Sequence, residues 1–81
     1  MNYLVYILQC KDGSYYTGIT NDLEKRLRIH SLGKGSKYVR ARLPFKLVFQ
    51  EEQLTKSMAM KRELEIKKLS RGEKVELIKL A

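Results

Sequence analysis

The 81-residue sequence holds one cysteine, one proline, one histidine and no tryptophan. A lone Cys10 excludes an internal disulfide and points to a reducing cytosol, so a small core must hold by packing alone. No stretch approaches the ~20 apolar residues of a membrane span, and the N-terminus lacks the charged-then-apolar pattern of a secretory leader. The expectation is a cytoplasmic protein with no membrane partner. Internal repeats, low-complexity tracts and dividing linkers are also missing, so one domain over 1–81 is expected. With 43% hydrophobic residues the composition is that of a folded domain, not a disordered chain.

Acid is missing from the middle of the chain. Lys25, Arg26, Arg28, Lys34, Lys37, Arg40, Arg42 and Lys46 follow one another with no Asp or Glu among them, within a formal net charge of +8. A basic surface can serve solubility alone. An acid-free block interspersed with aromatics suits a polyanion better, and nucleic acid is the expected partner.

Residues 3–10 form an apolar, β-rich run, read as a central strand covered on both faces. Asp12-Gly13 is a hairpin signal, and residues 15–20 return as a second strand with Gly18 as a bulge or a point of close approach. A helix runs from Asp22 to about Ser31, opened by a capping-box-like Asn21 and Glu24. After a Gly-rich loop, Ser36 starts a short helix over Lys37–Arg42 that must end before Pro44. Residues 45–51 alternate Phe45, Leu47 and Phe49 against polar neighbours, a strand with one buried face. A break over Glu51–Thr55 precedes a long helix at 56–69. Ser70 with Glu73 makes a capping box for a last helix. The order β-β-α-(α)-β-α-α predicts an α/β (α+β layered) fold, a small three-stranded, antiparallel-type sheet flanked by helices.

Two helices carry charge where apolar residues belong. Leu23, Arg26, Leu27 and His30 fall at i, i+3, i+4 and i+7, and a buried guanidinium needs an anionic partner. Ala59, Glu63 and Ile66 define the buried stripe of the long helix. Arg26 and Glu63 could satisfy each other as a structural pair, or Arg26 could face a phosphate.

Together these residues resemble the GIY-YIG nuclease family, and in particular its small stand-alone bacterial members. Leu4-Val5-Tyr6 matches the first motif through its tyrosine alone. Tyr16-Thr17-Gly18 matches the second with Thr for Ile. Arg26 and His30 match the R-x-x-x-H of the first helix, and Ala59-Glu63-Lys67 matches A-x-x-x-E-x-x-x-K. The likeness covers essentially the whole chain. Two departures stand out: Leu4 replaces the leading glycine, and Ile19 occupies the place of a lysine found in some relatives, a role that Lys34 or Lys37 would have to fill.

The resemblance implies a metal-dependent nuclease acting on nucleic acid, DNA in preference to RNA, with low sequence specificity because no base-reading module is attached. A non-catalytic binding module on the same fold is the alternative. Glu63 would bind one divalent ion, Mg²⁺ or Mn²⁺. Arg26 would hold the scissile phosphate, Tyr6 would take the water's proton directly or through His30, and Tyr16 would complete the network. Lys34, Lys37, Arg40, Arg42, Lys46 and Lys67 would line the phosphate path, and a protein partner or homodimer is compatible with the chain. The shared site requires Tyr6 and Tyr16 on one sheet face, alongside the helices bearing Arg26 and Glu63. A two-residue turn would separate the tyrosines, so a three-residue Asp12-Gly13-Ser14 loop is expected, with Gly13 left-handed and Tyr6 opposite Thr20.

Overall fold

A computed structural model describes residues 2–81. The strands are β1 (Tyr3–Cys10), β2 (Tyr15–Thr20) and β3 (Phe45–Gln53), and the helices are α1 (Leu23–Ser31), α2 (Lys37–Arg40), α3 (Lys56–Lys67) and α4 (Arg71–Leu80). The sheet order is β2-β1-β3, with both pairings antiparallel. This is the three-stranded α+β arrangement that the hydrophobic periodicities predict.

The helix starts follow local chemistry. Asp22, not Asn21, caps α1, its side chain accepting from the Lys25 N–H. Ser36 caps α2 and Thr55 caps α3 in the same way. Ser70 and Glu73 form the reciprocal capping box of α4. Three ends differ from expectation, α3 among them, since it stops at Lys67 instead of 69. The short helix stops at Arg40, and β3 runs on to Gln53 because Glu51, Glu52 and Gln53 pair with Val5, Leu4 and Tyr3.

The hairpin has an odd loop, shifted by one residue from the expected one. Cys10 N–H donates to the Ser14 carbonyl at 2.8 Å, leaving Lys11-Asp12-Gly13 as the loop, with Gly13 at φ 85°. Tyr6 therefore lies opposite Gly18 and Leu8 opposite Tyr16. The shift of two in pairing preserves parity, so both tyrosines share a face.

β3 departs more sharply. Its register slips between Ile7 and Leu8, so that Val48 is an extra residue: Ile7 pairs with Phe49, Leu8 with Leu47. The bulge sends Phe45 and Leu47 to one face and Phe49 to the other, which overturns the reading of a single buried face. Two cores result. Tyr6, Leu8, Cys10 and Val39 pack with Tyr16, Leu23, Leu27, Phe45 and Leu47 under α1 and α2. Val5, Ile7, Phe49, Ala59 and Ile66 pack with Ile19, Leu77 and Ile78 under α3 and α4. Glu63 thus approaches from the face opposite α1, not from the same side as expected. No helix among the described residues is long and apolar enough to cross a membrane.

Candidate nuclease site

The strand alternation of β1 turns Tyr6 toward α1, where its ring is 1% exposed. Its hydroxyl lies over Gly18 on the neighbouring strand: a Cβ there would stand 2.6 Å from Tyr6 Oη and 2.7 Å from Cζ. Only glycine leaves this space, which is the close approach that the strand position anticipated.

From α1, His30 reaches the same point. Its Nε2 is 2.9 Å from Tyr6 Oη, and the imidazole is 1% exposed. Gly35 closes over the other nitrogen, since a Cβ at that position would come within 2.5 Å of Nδ1. Nδ1 is buried with no hydrogen-bond partner. Tyr16 packs edge-on to His30 with ring centroids 5.4 Å apart, and Phe45 does so at 6.1 Å. Tyr6, Tyr16 and His30 are therefore brought together in one buried aromatic cluster.

The electrostatics of the pair are asymmetric. Burial, then the neighbouring Tyr16, push the Tyr6 phenol well above its ordinary value, with Glu63 acting in the same direction and Arg26 opposing. Burial, then the Arg26 charge, pull His30 below its ordinary 6.5, so the ring is neutral at physiological pH.

Because the folded state holds His30 at a lowered pKa, the unfolded chain binds the extra proton as pH falls through about 6.5. Stability is fully present above that value and declines below it. Thermal unfolding across pH 5 to 8 should show this slope in wild type, and the His30→Gln variant should lose it. A slope unchanged in the variant would place the titrating group elsewhere.

Arg26 is half-buried on α1. Among the described residues its guanidinium has no ion pair or hydrogen bond, and it borders a hollow of about 200 Å³ shared with Thr20, Asp22, Lys25 and Ile29. Its charge is nonetheless felt by both Tyr6 and His30. The structural Arg26–Glu63 pair does not form. Glu63, with a side chain 20% exposed, is instead 3.4 Å from the Lys67 ammonium one turn along α3.

Glu63 is also the carboxylate whose charge reaches Tyr6. Among the described residues no group of three His, Cys, Asp or Glu side chains converges to hold a metal. One carboxylate fits a hard cation that keeps most of its ligands as water and substrate oxygens, as Mg²⁺ and Mn²⁺ do.

The basic residues divide. Lys34, Lys37 and Arg40 are exposed around α2. Lys46 lies between Phe45 and Leu47, so strand alternation turns it to the opposite face of the sheet from them. Lys67 is engaged by Glu63, and Arg42 is engaged by Asp12 at 3.1 Å. Ile19 packs in the α3-side core, and neither Lys34 nor Lys37 makes a side-chain hydrogen bond to the site. Sequence reasoning missed Gly35, Tyr38 and Asp12. Only the spacing of Gly33 and Gly35 before a capped helix hinted that backbone must approach something there.

Residues 2–76 match the family model described as the GIY-YIG catalytic domain. A UPF0213 protein of Halalkalibacterium halodurans is 51% identical over 99% of this chain and 85% of its own length. One from Clostridium perfringens is 56% identical over 96% and 83%. The solution NMR structure of the UPF0213 protein from Bacillus halodurans superposes with a TM-score of 0.65, at 51% identity over 99% of this chain and 85% of that one. An NMR structure of a protein from E. faecalis gives 0.69 at 38% identity, with the same coverage. The buried Tyr6–His30 pair, the glycine beneath it and the carboxylate of α3 are thus set in a chain that belongs to the GIY-YIG family.

Proposed function

We propose that the protein is a divalent-metal-dependent nuclease that hydrolyses phosphodiester bonds in nucleic acid, DNA in preference to RNA, with low sequence specificity. The observation that carries the reading is Arg26, a half-buried guanidinium with no carboxylate partner among the described residues, set beside a neutral histidine bonded to a buried tyrosine. A cation left in this state is suited to a phosphate brought by a ligand.

Arg26 holds the scissile phosphate through two parallel N–H donors. The attacking water passes a proton to Tyr6 Oη while the phenol proton moves to His30 Nε2, at the 2.9 Å separation observed. In this relay the neutral imidazole is the proton acceptor, since a phenol with a raised pKa does not ionise alone. Burial and Arg26 disfavour the imidazolium, so it readily returns the proton through Tyr6 to solvent, and water protonates the departing 3′ oxygen. Tyr16 fixes the imidazole plane through its edge-on contact. Glu63, whose charge reaches Tyr6 although α3 packs on the other sheet face, would hold the Mg²⁺ or Mn²⁺, which would supply charge neutralisation on the phosphoryl oxygens. Lys34, Lys37 and Arg40 make sequence-neutral contacts to the strand.

Labelled single-stranded, duplex and branched DNA and RNA, incubated with Mg²⁺, Mn²⁺ or EDTA, test the reading. Wild type should cut only with metal. Arg26→Lys keeps the charge but loses the planar fork, and should cut about a hundredfold more slowly with little change in binding. Binding without cleavage under every condition would support the alternative, a module keeping the fold alone, for which Ile19 in place of lysine is the favouring observation.

A further inference from the structure

A second set of contacts runs from the hairpin turn to the candidate site. The Tyr38 ring stacks on Tyr16, with centroids 6.1 Å apart and planes 28° from parallel. The Arg42 guanidinium lies over the Tyr38 ring, with Cζ 3.9 Å from the ring centroid. Arg42 Nη1 donates to the Tyr38 carbonyl at 3.0 Å, and Nε donates to Asp12 Oδ2 at 3.1 Å. Asp12 Oδ1 accepts from the Ser14 N–H at 3.0 Å and from its hydroxyl at 2.6 Å. Lys11 N–H donates to the Arg42 carbonyl at 3.1 Å, tying turn to helix end a second time. The line continues from Tyr16 to His30 at 5.4 Å.

We propose that Asp12, Arg42 and Tyr38 form a positioning brace that holds Tyr16 against His30, and that Arg42 acts in this brace instead of on the nucleic-acid backbone. The inference rests on the nuclease reading for its kinetic consequence, though not for its geometry. β2 is an edge strand, so Tyr16 has a neighbouring strand on one side only. Tyr38 supplies the missing wall. Arg42 has already committed Nε, one Nη1 hydrogen and one face of its plane, so a phosphate would have to compete for a guanidinium held in place by the turn and by Tyr38. An ion pair this exposed contributes little to stability, so its removal should disturb orientation far more than folding.

Asp12→Asn separates the roles, because the amide oxygen can keep both Ser14 bonds while the Arg42 acceptor is lost. We expect a nearly unchanged Tm, unchanged nucleic-acid affinity and salt dependence, and kcat reduced by about tenfold to a hundredfold at constant KM. Arg42→Lys should behave likewise, having charge without the stacking plane. Tyr38→Leu should show the same loss, while Tyr38→Phe, which keeps the stack, should match wild type. A structural readout runs in parallel: NOEs between the Tyr16 and His30 rings should weaken in the first three variants and persist in Tyr38→Phe. If those NOEs and kcat persist in Asp12→Asn and Arg42→Lys, the brace is overturned. A salt slope reduced by about 0.9 in Arg42→Gln would show a phosphate contact and would also overturn it. Should wild type cut nothing, the nuclease reading fails by itself, and the NOEs alone decide the brace.

Discussion

Glu63→Gln should abolish metal-dependent cleavage, by at least about a hundredfold, while leaving nucleic-acid binding and folding nearly intact. The substitution preserves shape and removes only the charge. Glu63 contacts Lys67, a lysine whose side chain is 52% exposed, so the lost ion pair is worth at most about 1 kcal/mol. A structural role for the carboxylate would require a buried partner such as Arg26, and the two are not paired. Stability and activity are therefore expected to separate in this variant. The decisive measurements are cleavage with Mg²⁺ or Mn²⁺ beside an EDTA control, Kd at two salt concentrations, and Tm. A variant that folds, binds and still cuts at the wild-type rate would remove Glu63 from the chemistry. A variant that unfolds would show that the helix needs the charge.

The second large effect is expected at Gly18, where no charge changes at all. Its φ is not in the left-handed region, so alanine meets no backbone penalty there. The obstacle is Tyr6, whose hydroxyl and Cζ would lie 2.6 and 2.7 Å from the new methyl group. Tyr6 is not a flexible chain end that can step aside: it is buried and bonded to His30. Gly18→Ala should thus cost about 1–3 kcal/mol by overpacking. In a domain of this size that lowers Tm by roughly 4–8 °C per kcal/mol. Cleavage should fall by about a hundredfold or more at temperatures where the variant is folded, because the ring must leave His30 to make room. Circular dichroism melts and single-turnover rates measure the two losses separately. Near-wild-type values for both would mean that Tyr6 can sit elsewhere without consequence. Gly18 is a space requirement, and Gly35 is another, over His30 Nδ1.

Both expectations depend on residues that the sequence identified and on spacings that it did not contain. Arg26, His30 and Glu63 stand out because polar groups interrupt apolar periodicities, whereas Tyr6 and Tyr16 are singled out by the likeness to the GIY-YIG motifs. The Gly18 conflict exists only because Tyr6 lies opposite it, a pairing set by the Lys11-Asp12-Gly13 loop and not by the loop one residue later that Asp12-Gly13-Ser14 suggested. Parity survived the difference. A shift of two moves a side chain along the strand without turning it over, so the shared face of the tyrosines was predictable while their partners were not.

The sequence by itself determined what nearest neighbours along the chain can determine. Helices begin at Asp22, Ser36 and Ser70 because each side chain accepts a free N–H a few residues ahead, and strands form where β-branched and aromatic residues cluster. Element types, their order and the family motif were legible for that reason. Tertiary structure alone decided the rest. A bulge at Val48 divides β3 between two cores, because the sheet is covered on both faces and Phe49 fills the side under α3. The same division sets Lys46 apart from the basic residues of α2. Arg42 is drawn to Asp12 and Tyr38 by a hairpin 30 residues away in the chain, and Glu63 meets Lys67 instead of Arg26 because their helices lie on opposite faces. A charge in a sequence has no assigned partner until folding places one beside it.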